Sequence, residues 1–198
     1  MTTKPNILII CSDQHNPSIT GCYGNRLVET PNLDLLAQSG TVYENAYCNQ
    51  PICVPSRMSF MTGKYPFRIG VFGNNSVLDS RIPTYAHMLS GAGYRTVLAG
   101  RMHFVGPDQF HGFQERIGSD YTAYAFHCSK INRYRPLKGL LGNGSKSDPL
   151  LEVGQGSTCT QQLDQDTTEA AMNWIQNRSD SPGRHPFMMT VGYFSPHC

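Results

Sequence analysis

No stretch of this 198-residue chain is apolar for long enough to cross a bilayer as a helix. The longest such run, Ile7 to Cys11, stops at Ser12-Asp13, far short of the roughly 20 residues a span needs and too short for the core of a signal peptide. A cytoplasmic location with no membrane partner is therefore the expectation. Excess charge of one sign is also lacking. Lys and Arg number 16 against 14 Asp and Glu, a net charge of +2 spread along the chain, so nothing points to nucleic acid as a partner. Any anion must be bound by a local site. Cys-x-x-Cys pairs are missing as well. The seven cysteines, at 11, 22, 48, 53, 128, 159 and 198, form neither a zinc ribbon nor an evenly paired disulfide framework. The six other than Cys53 read as reduced, buried thiols. Repeats and low-complexity tracts are absent, which excludes a solenoid.

What is present is globular material, 39% hydrophobic, with elements that alternate as in an α/β fold with a mainly parallel central sheet. Strands are expected at Ile7–Cys11, Thr41–Tyr47, Thr96–Ala99 and Phe187–Tyr193, short apolar or β-branched runs of the kind buried parallel sheets use. Thr30-Pro31 reads as an N-cap followed by the first helical residue, opening a helix over Asn32–Gln38 with Leu33, Leu36 and Ala37 on one face. Helices are also expected from Pro55 to Met61 and from Pro83 to Gly91 or Gly93, the second carrying Tyr85, Met88 and Leu89. A capping box of Asp166 and Glu169 would start another, running to Arg178 and burying Ala170, Trp174 and Ile175. Asn132 to Gln161 is glycine-rich and aperiodic, and reads as a long loop or insertion.

Residues 53 to 63 read Cys-Val-Pro-Ser-Arg-Met-Ser-Phe-Met-Thr-Gly. Pro55 fits the first turn of a helix, where its missing N–H costs nothing, so Cys53 sits at the helix N-terminus. There a thiol faces unpaired backbone N–H groups, with Arg57 about one turn along, which suits a nucleophile meeting an oxyanion. A lone Cys-x-Pro is ordinarily a structural cysteine; the full pattern is more specific. It resembles the signature of the sulfatase family, Cys-x-Pro-Ser-Arg followed by Thr-Gly, at Cys53, Pro55, Ser56, Arg57, Thr62 and Gly63. The resemblance implies an alkaline-phosphatase-like fold and oxidation of Cys53 to formylglycine by a formylglycine-generating enzyme. A hydrated aldehyde has two hydroxyls on one carbon, one to attack sulfur and one to expel sulfate later.

The resemblance gives roles to further residues. Asp13-Gln14 follows the first strand where many sulfatases have Asp-Asp, so the implied metal ligands are Asp13, Gln14 and residue 53, the converted Cys53. Gln14 adds a carbonyl oxygen and no charge, and Ca²⁺ is the first expectation, with Mg²⁺ or Mn²⁺ next. Gly100-Arg101-Met102-His103 is similar to a Gly-Lys-x-His stretch, with Arg101 replacing the sulfate-holding lysine by a planar fork. His103 is expected to orient or deprotonate the diol, and Arg57 to fix residue 53 and offset oxyanion charge. His197, in Ser195-Pro196-His197, would contact the sulfate and act as general acid.

Gly100–Ile117 and Ile82–His87 resemble choline-sulfatase-like bacterial members of the family, whose small sulfated substrates set the expectation here. Tyr121, Tyr124 and Phe126 could wall an ammonium site, although core aromatics are the simpler reading. Family members are more than twice this length and carry further metal ligands later in the chain. The 198 residues thus read as the N-terminal part of a sulfatase catalytic domain, a truncated product or part of a longer chain, inactive alone. The alternatives are a phosphonate or phosphate ester hydrolase of the same superfamily, or a non-catalytic sulfatase-like module.

Overall fold

The computed structural model describes residues 4–118, 120, 159–179 and 185–197. Its core is a four-stranded, wholly parallel sheet built from β1 (Ile7–Cys11), β2 (Arg95–Gly100), β3 (Glu115–Ile117) and β4 (Phe187–Gly192) in the order β1-β4-β2-β3. The helices are α1 (Pro31–Ser39), α2 (Cys53–Thr62), α3 (Pro66–Ile69), α4 (Tyr85–Gly91) and α5 (Cys159–Ser179).

Alternation along each strand divides the core between two layers. Leu98 and Met188 face Val54, Met58 and Met61 of α2 and Ala86 of α4. Val97, Ala99, Met189 and Val191 face Ala171, Trp174 and Ile175 of α5. Burying apolar side chains on both faces is what a parallel sheet requires, and the runs MMTV and TVLA supply them. No helix among the described residues is long and apolar enough to cross a membrane.

Several expectations change. Residues 41–47 are not a strand: Tyr43 and Tyr47 are exposed, and the segment is tied down by the Tyr23 hydroxyl donating to the Tyr43 carbonyl at 2.9 Å. A run of suitable residues forms no strand without a neighbour to complete its hydrogen bonds. Helix α5 starts at Cys159, so Asp166 and Glu169 lie inside it, accepting from Gln162 and Gln165 one turn back rather than capping. Leu163, Thr167 and Ala171 recur every four residues on its inner face, extending the amphipathic pattern two turns upstream, and Ala170 is only half-buried. Thr30 does precede α1, but its hydroxyl accepts from Gly21 N–H and donates to Asp34 instead of capping, and Leu33 and Leu36 stay exposed. The cap that works is Thr84 at α4, in a reciprocal box with His87, while Met88 points to solvent. Residues 132–158 of the expected loop and the aromatics Tyr121, Tyr124 and Phe126 lie outside the described residues; the last three positions of that loop belong to α5.

Candidate active site

Because every strand runs the same way, the segments leaving β1, β2 and β4 emerge at one end of the sheet. Asp13 follows β1, Arg101 and His103 follow β2, and His197 follows β4. Helix α2 brings its first residue, Cys53, to the same end, with Pro55 in the first turn. One ligand atom each from Asp13, Cys53 and His197 lies within 4.8 Å of the others.

Two guanidinium groups enclose this cluster. Arg101, 4% exposed, donates through one terminal nitrogen to Asp13 Oδ2, and Arg57 lies 3.5 Å from the same oxygen. Arg57 also donates to the Arg101 carbonyl at 3.1 Å, so each arginine helps fix the other. The Arg101 guanidinium carbon sits 4.3 Å from the centroid of the Phe194 ring, and its other terminal nitrogen is 3.4 Å from His103 Nδ1. Its Nε–H is buried without a hydrogen-bond partner among the described residues. With one carboxylate against two guanidiniums, the pocket favours an incoming anion.

Burial, reinforced by the positive charge of Arg101, pushes the His103 pKa down to about 4, so the imidazole is neutral at ordinary pH. Burial likewise raises the pKa of the Cys11 thiol below the site. Gln14 is exposed, with a φ of 56°, and makes no side-chain hydrogen bond among the described residues. His103 also takes a positive φ, 61°, an uncommon conformation for a residue with a Cβ.

Two carboxylates that sequence reasoning missed hold the site loops. Asp120 accepts from Met102 N–H at 3.0 Å and His103 N–H at 3.1 Å and is paired with Arg116, which fixes the turn after β2. Asp164 of α5 accepts from Phe194 N–H at 2.7 Å and Ser195 N–H at 2.8 Å, one with each oxygen, and anchors the turn that carries His197. Neither lies in a local motif; each acts across 17 or more residues of sequence, which periodicity does not register. Replacing Asp164 by Asn leaves one acceptor and turns an N–H₂ group toward an N–H donor. Asp164→Asn should cost about 1–3 kcal/mol in urea denaturation, and Asp164→Ala a similar amount.

Known proteins match nearly the whole chain. The Sulfatase family profile covers residues 5–198, and the chain belongs to that family. Choline-sulfatase of Rhizobium meliloti is 37% identical over 212 residues, an alignment covering 100% of this chain and 39% of the relative. In solved structures the fold matches that of a protein in complex with its substrate D-glucosamine-2-N,6-O-disulfate, with a TM-score of 0.70 at 24% identity, covering 98% of this chain and 35% of the other. It also matches the phosphonate monoester hydrolase of Agrobacterium radiobacter, with a TM-score of 0.70 at 22% identity, covering 98% and 42%. The chain therefore has the alkaline-phosphatase-like fold and spans well under half the length of these relatives. Sulfatases as a family use formylglycine and a divalent metal.

Proposed function

We propose that these residues form the N-terminal portion of a sulfuric ester hydrolase, whose complete chain cleaves a small sulfate ester with formylglycine made from Cys53. The observation that carries this reading is the convergence of Cys53, Asp13 and His197 beside two guanidiniums, the half-buried Arg57 and the buried Arg101, the latter with an unused N–H. The choline-sulfatase relative supports a small sulfated substrate.

In this reading Arg101 and Arg57 hold sulfate oxygens, and the Phe194 ring keeps the Arg101 fork in one plane. Binding requires Arg101 to share its charge between Asp13 and the ester. One hydroxyl of the residue 53 diol attacks sulfur as the S–O bond to the alcohol breaks, and His197 gives the leaving oxygen its proton. His103, neutral because burial disfavours its charged form, takes a proton from the diol. His197, left neutral by that donation, then takes the proton of the second hydroxyl as the C–O bond to sulfate breaks, releasing sulfate and restoring the aldehyde, which water hydrates again.

For the metal we propose Ca²⁺, with Mg²⁺ or Mn²⁺ as the alternatives; bound, it would draw charge from the sulfate oxygens and acidify the diol. A hard cation of this kind takes about six or more oxygen ligands. The described residues offer Asp13, already paired to two arginines, then Gln14 and, after conversion, residue 53. They do not close such a shell.

The test is coexpression of the complete protein with a formylglycine-generating enzyme. Mass spectrometry of the peptide spanning residue 53 should find the aldehyde, and turnover of an aryl sulfate should exceed that of aryl phosphate mono- and diesters. An unmodified thiol in an active enzyme, or dominant phosphoesterase or phosphonate activity, overturns the reading.

A further inference from the structure

Before any conversion, residue 53 is a thiol, and the donor atoms around it are not those of a hard-cation site. Asp13, Cys53 and His197 offer a carboxylate oxygen, a sulfur and an imidazole nitrogen, all within 4.8 Å of one another. Tetrahedral zinc takes this mixture of donors, with bonds of about 2.3 Å to sulfur and about 2.0–2.2 Å to nitrogen and oxygen. Such bonds place ligand atoms roughly 3.5 Å apart, so the existing cluster needs only a small contraction. Calcium and magnesium, which prefer oxygen alone, gain nothing from the thiolate or the imidazole.

Three further features suit the ion. The ligands come from three separate elements: the turn after β1, the start of α2 and the turn after β4. Two of them are held by other contacts. Asp13 is fixed by Arg57 and Arg101, both on Oδ2, and the His197 turn is fixed by Asp164 and by tilted packing of the His197 ring against Phe194, with centroids 4.9 Å apart. All three are half-buried, which shields the site while leaving it reachable from solvent. Among the described residues no other group of three or more His, Cys, Asp or Glu side chains meets in this way.

We infer that the thiol form of this chain binds one Zn²⁺ through Asp13, Cys53 and His197, leaving a fourth position for water or a small anion. Thiolate and carboxylate neutralise the zinc, and the two guanidiniums beside them favour an anion in that fourth position. Binding releases one proton to the buffer as Cys53–SH becomes a zinc thiolate. The inference needs only the thiol and does not rest on the hydrolase reading. If Cys53 is the formylglycine precursor, zinc and conversion compete for one sulfur, and zinc holds the chain in its unconverted state.

Cobalt is the probe, because Co²⁺ occupies zinc sites and reports its ligands in absorption spectra. The 198-residue chain, produced without a converting enzyme and shown by mass spectrometry to carry the Cys53 thiol, is titrated with Co²⁺. The expected result is a 1:1 complex with a thiolate-to-cobalt charge-transfer band and the visible bands of a tetrahedral ion. Stoichiometric Zn²⁺ should displace it and excess Ca²⁺ should not. Cys53→Ser should abolish the charge-transfer band, and His197→Ala should weaken binding by about tenfold or more. Cys22→Ser and Cys48→Ser should leave the spectrum unchanged. Circular dichroism and melting of each variant without metal separate loss of a ligand from loss of the fold. No charge-transfer band in the wild type, a band that survives in folded Cys53→Ser, or displacement by Ca²⁺ overturns the inference.

Discussion

Cys53→Ala in the complete protein, matured alongside the wild type, should lower sulfate ester turnover by about 10³-fold or more, because the attacking group itself is removed. Ground-state binding should change far less, since Arg57 and Arg101 are intact and remain on Asp13. The loss belongs in kcat, with KM nearly unmoved. Stability should hardly change, as Cys53 is only half-buried at the first position of α2 and alanine is a good helix former there. Cys53→Ser sharpens the test. A serine hydroxyl can accept sulfate, but it has no second hydroxyl on the same carbon to expel it. A stoichiometric burst ending in a sulfated enzyme is the expected outcome, seen as a mass increase on the residue 53 peptide. Sustained turnover by either variant at more than a tenth of the wild-type rate would show that residue 53 is not the nucleophile.

Gly192→Ala should be the most damaging single methyl group in the described fold. Gly192 ends β4 opposite Gly100 at the end of β2, and Arg101 N–H donates to the Gly192 carbonyl at 2.8 Å. A Cβ at position 192 would overlap the Arg101 carbonyl oxygen, which is backbone and has no rotamer to yield. Gly100 is constrained in the same contact: its φ is 74°, and a Cβ there would come within 2.5 Å of the Gly192 carbonyl oxygen. Relief requires the two strands to part at the point where Arg101 leaves the sheet. A loss of about 3 kcal/mol or more is expected in urea denaturation, at the upper end of overpacking effects. Gly24→Ala is the control. Gly24 also has a positive φ, 96°, but nothing lies within 4 Å of a Cβ there, so only the smaller conformational cost of about 1 kcal/mol should appear. Equal losses in the two variants would exclude steric overlap as the cause.

How much of this could be read beforehand varies with how local each cause is. Cys53 at the head of α2 was legible because a proline two residues on restricts the backbone over a single turn. The ends of β1 and β2 were legible because their apolar runs stop at Ser12 and Arg101, whereas the run of β4 continues through Tyr193 and Phe194 past the strand's end at Gly192; parallel packing brings the three ends together. Residues 41–47 misled because strand composition says nothing about a partner. Strand β3 went unnoticed for the converse reason: Glu115-Arg-Ile is short and polar, and it is held by pairing with β2 and by Glu115, which accepts from Arg95 and Trp174. Asp120 and Asp164 were invisible because their partners are backbone N–H groups on distant loops. The Arg101 substitution was visible as a change of residue type. Its closure on Asp13 depends on where two separate strands end.

The pairing of β1 with β4 has a consequence for time as well as space. Among the described residues β4 is the only strand hydrogen-bonded to β1, so β1 must wait for β4 to be made before it gains that partner. At about 5–20 residues per second, translation separates Cys11 from Gly192 by roughly 10–40 s. During that interval Asp13 and His197 have no common frame, and Cys53 travels on a nascent chain with no pocket around it. Chemistry that must reach residue 53 from outside, by a second protein or by a metal ion, therefore meets two different surroundings: an open peptide first, and a guarded, cationic cleft once β4 has docked.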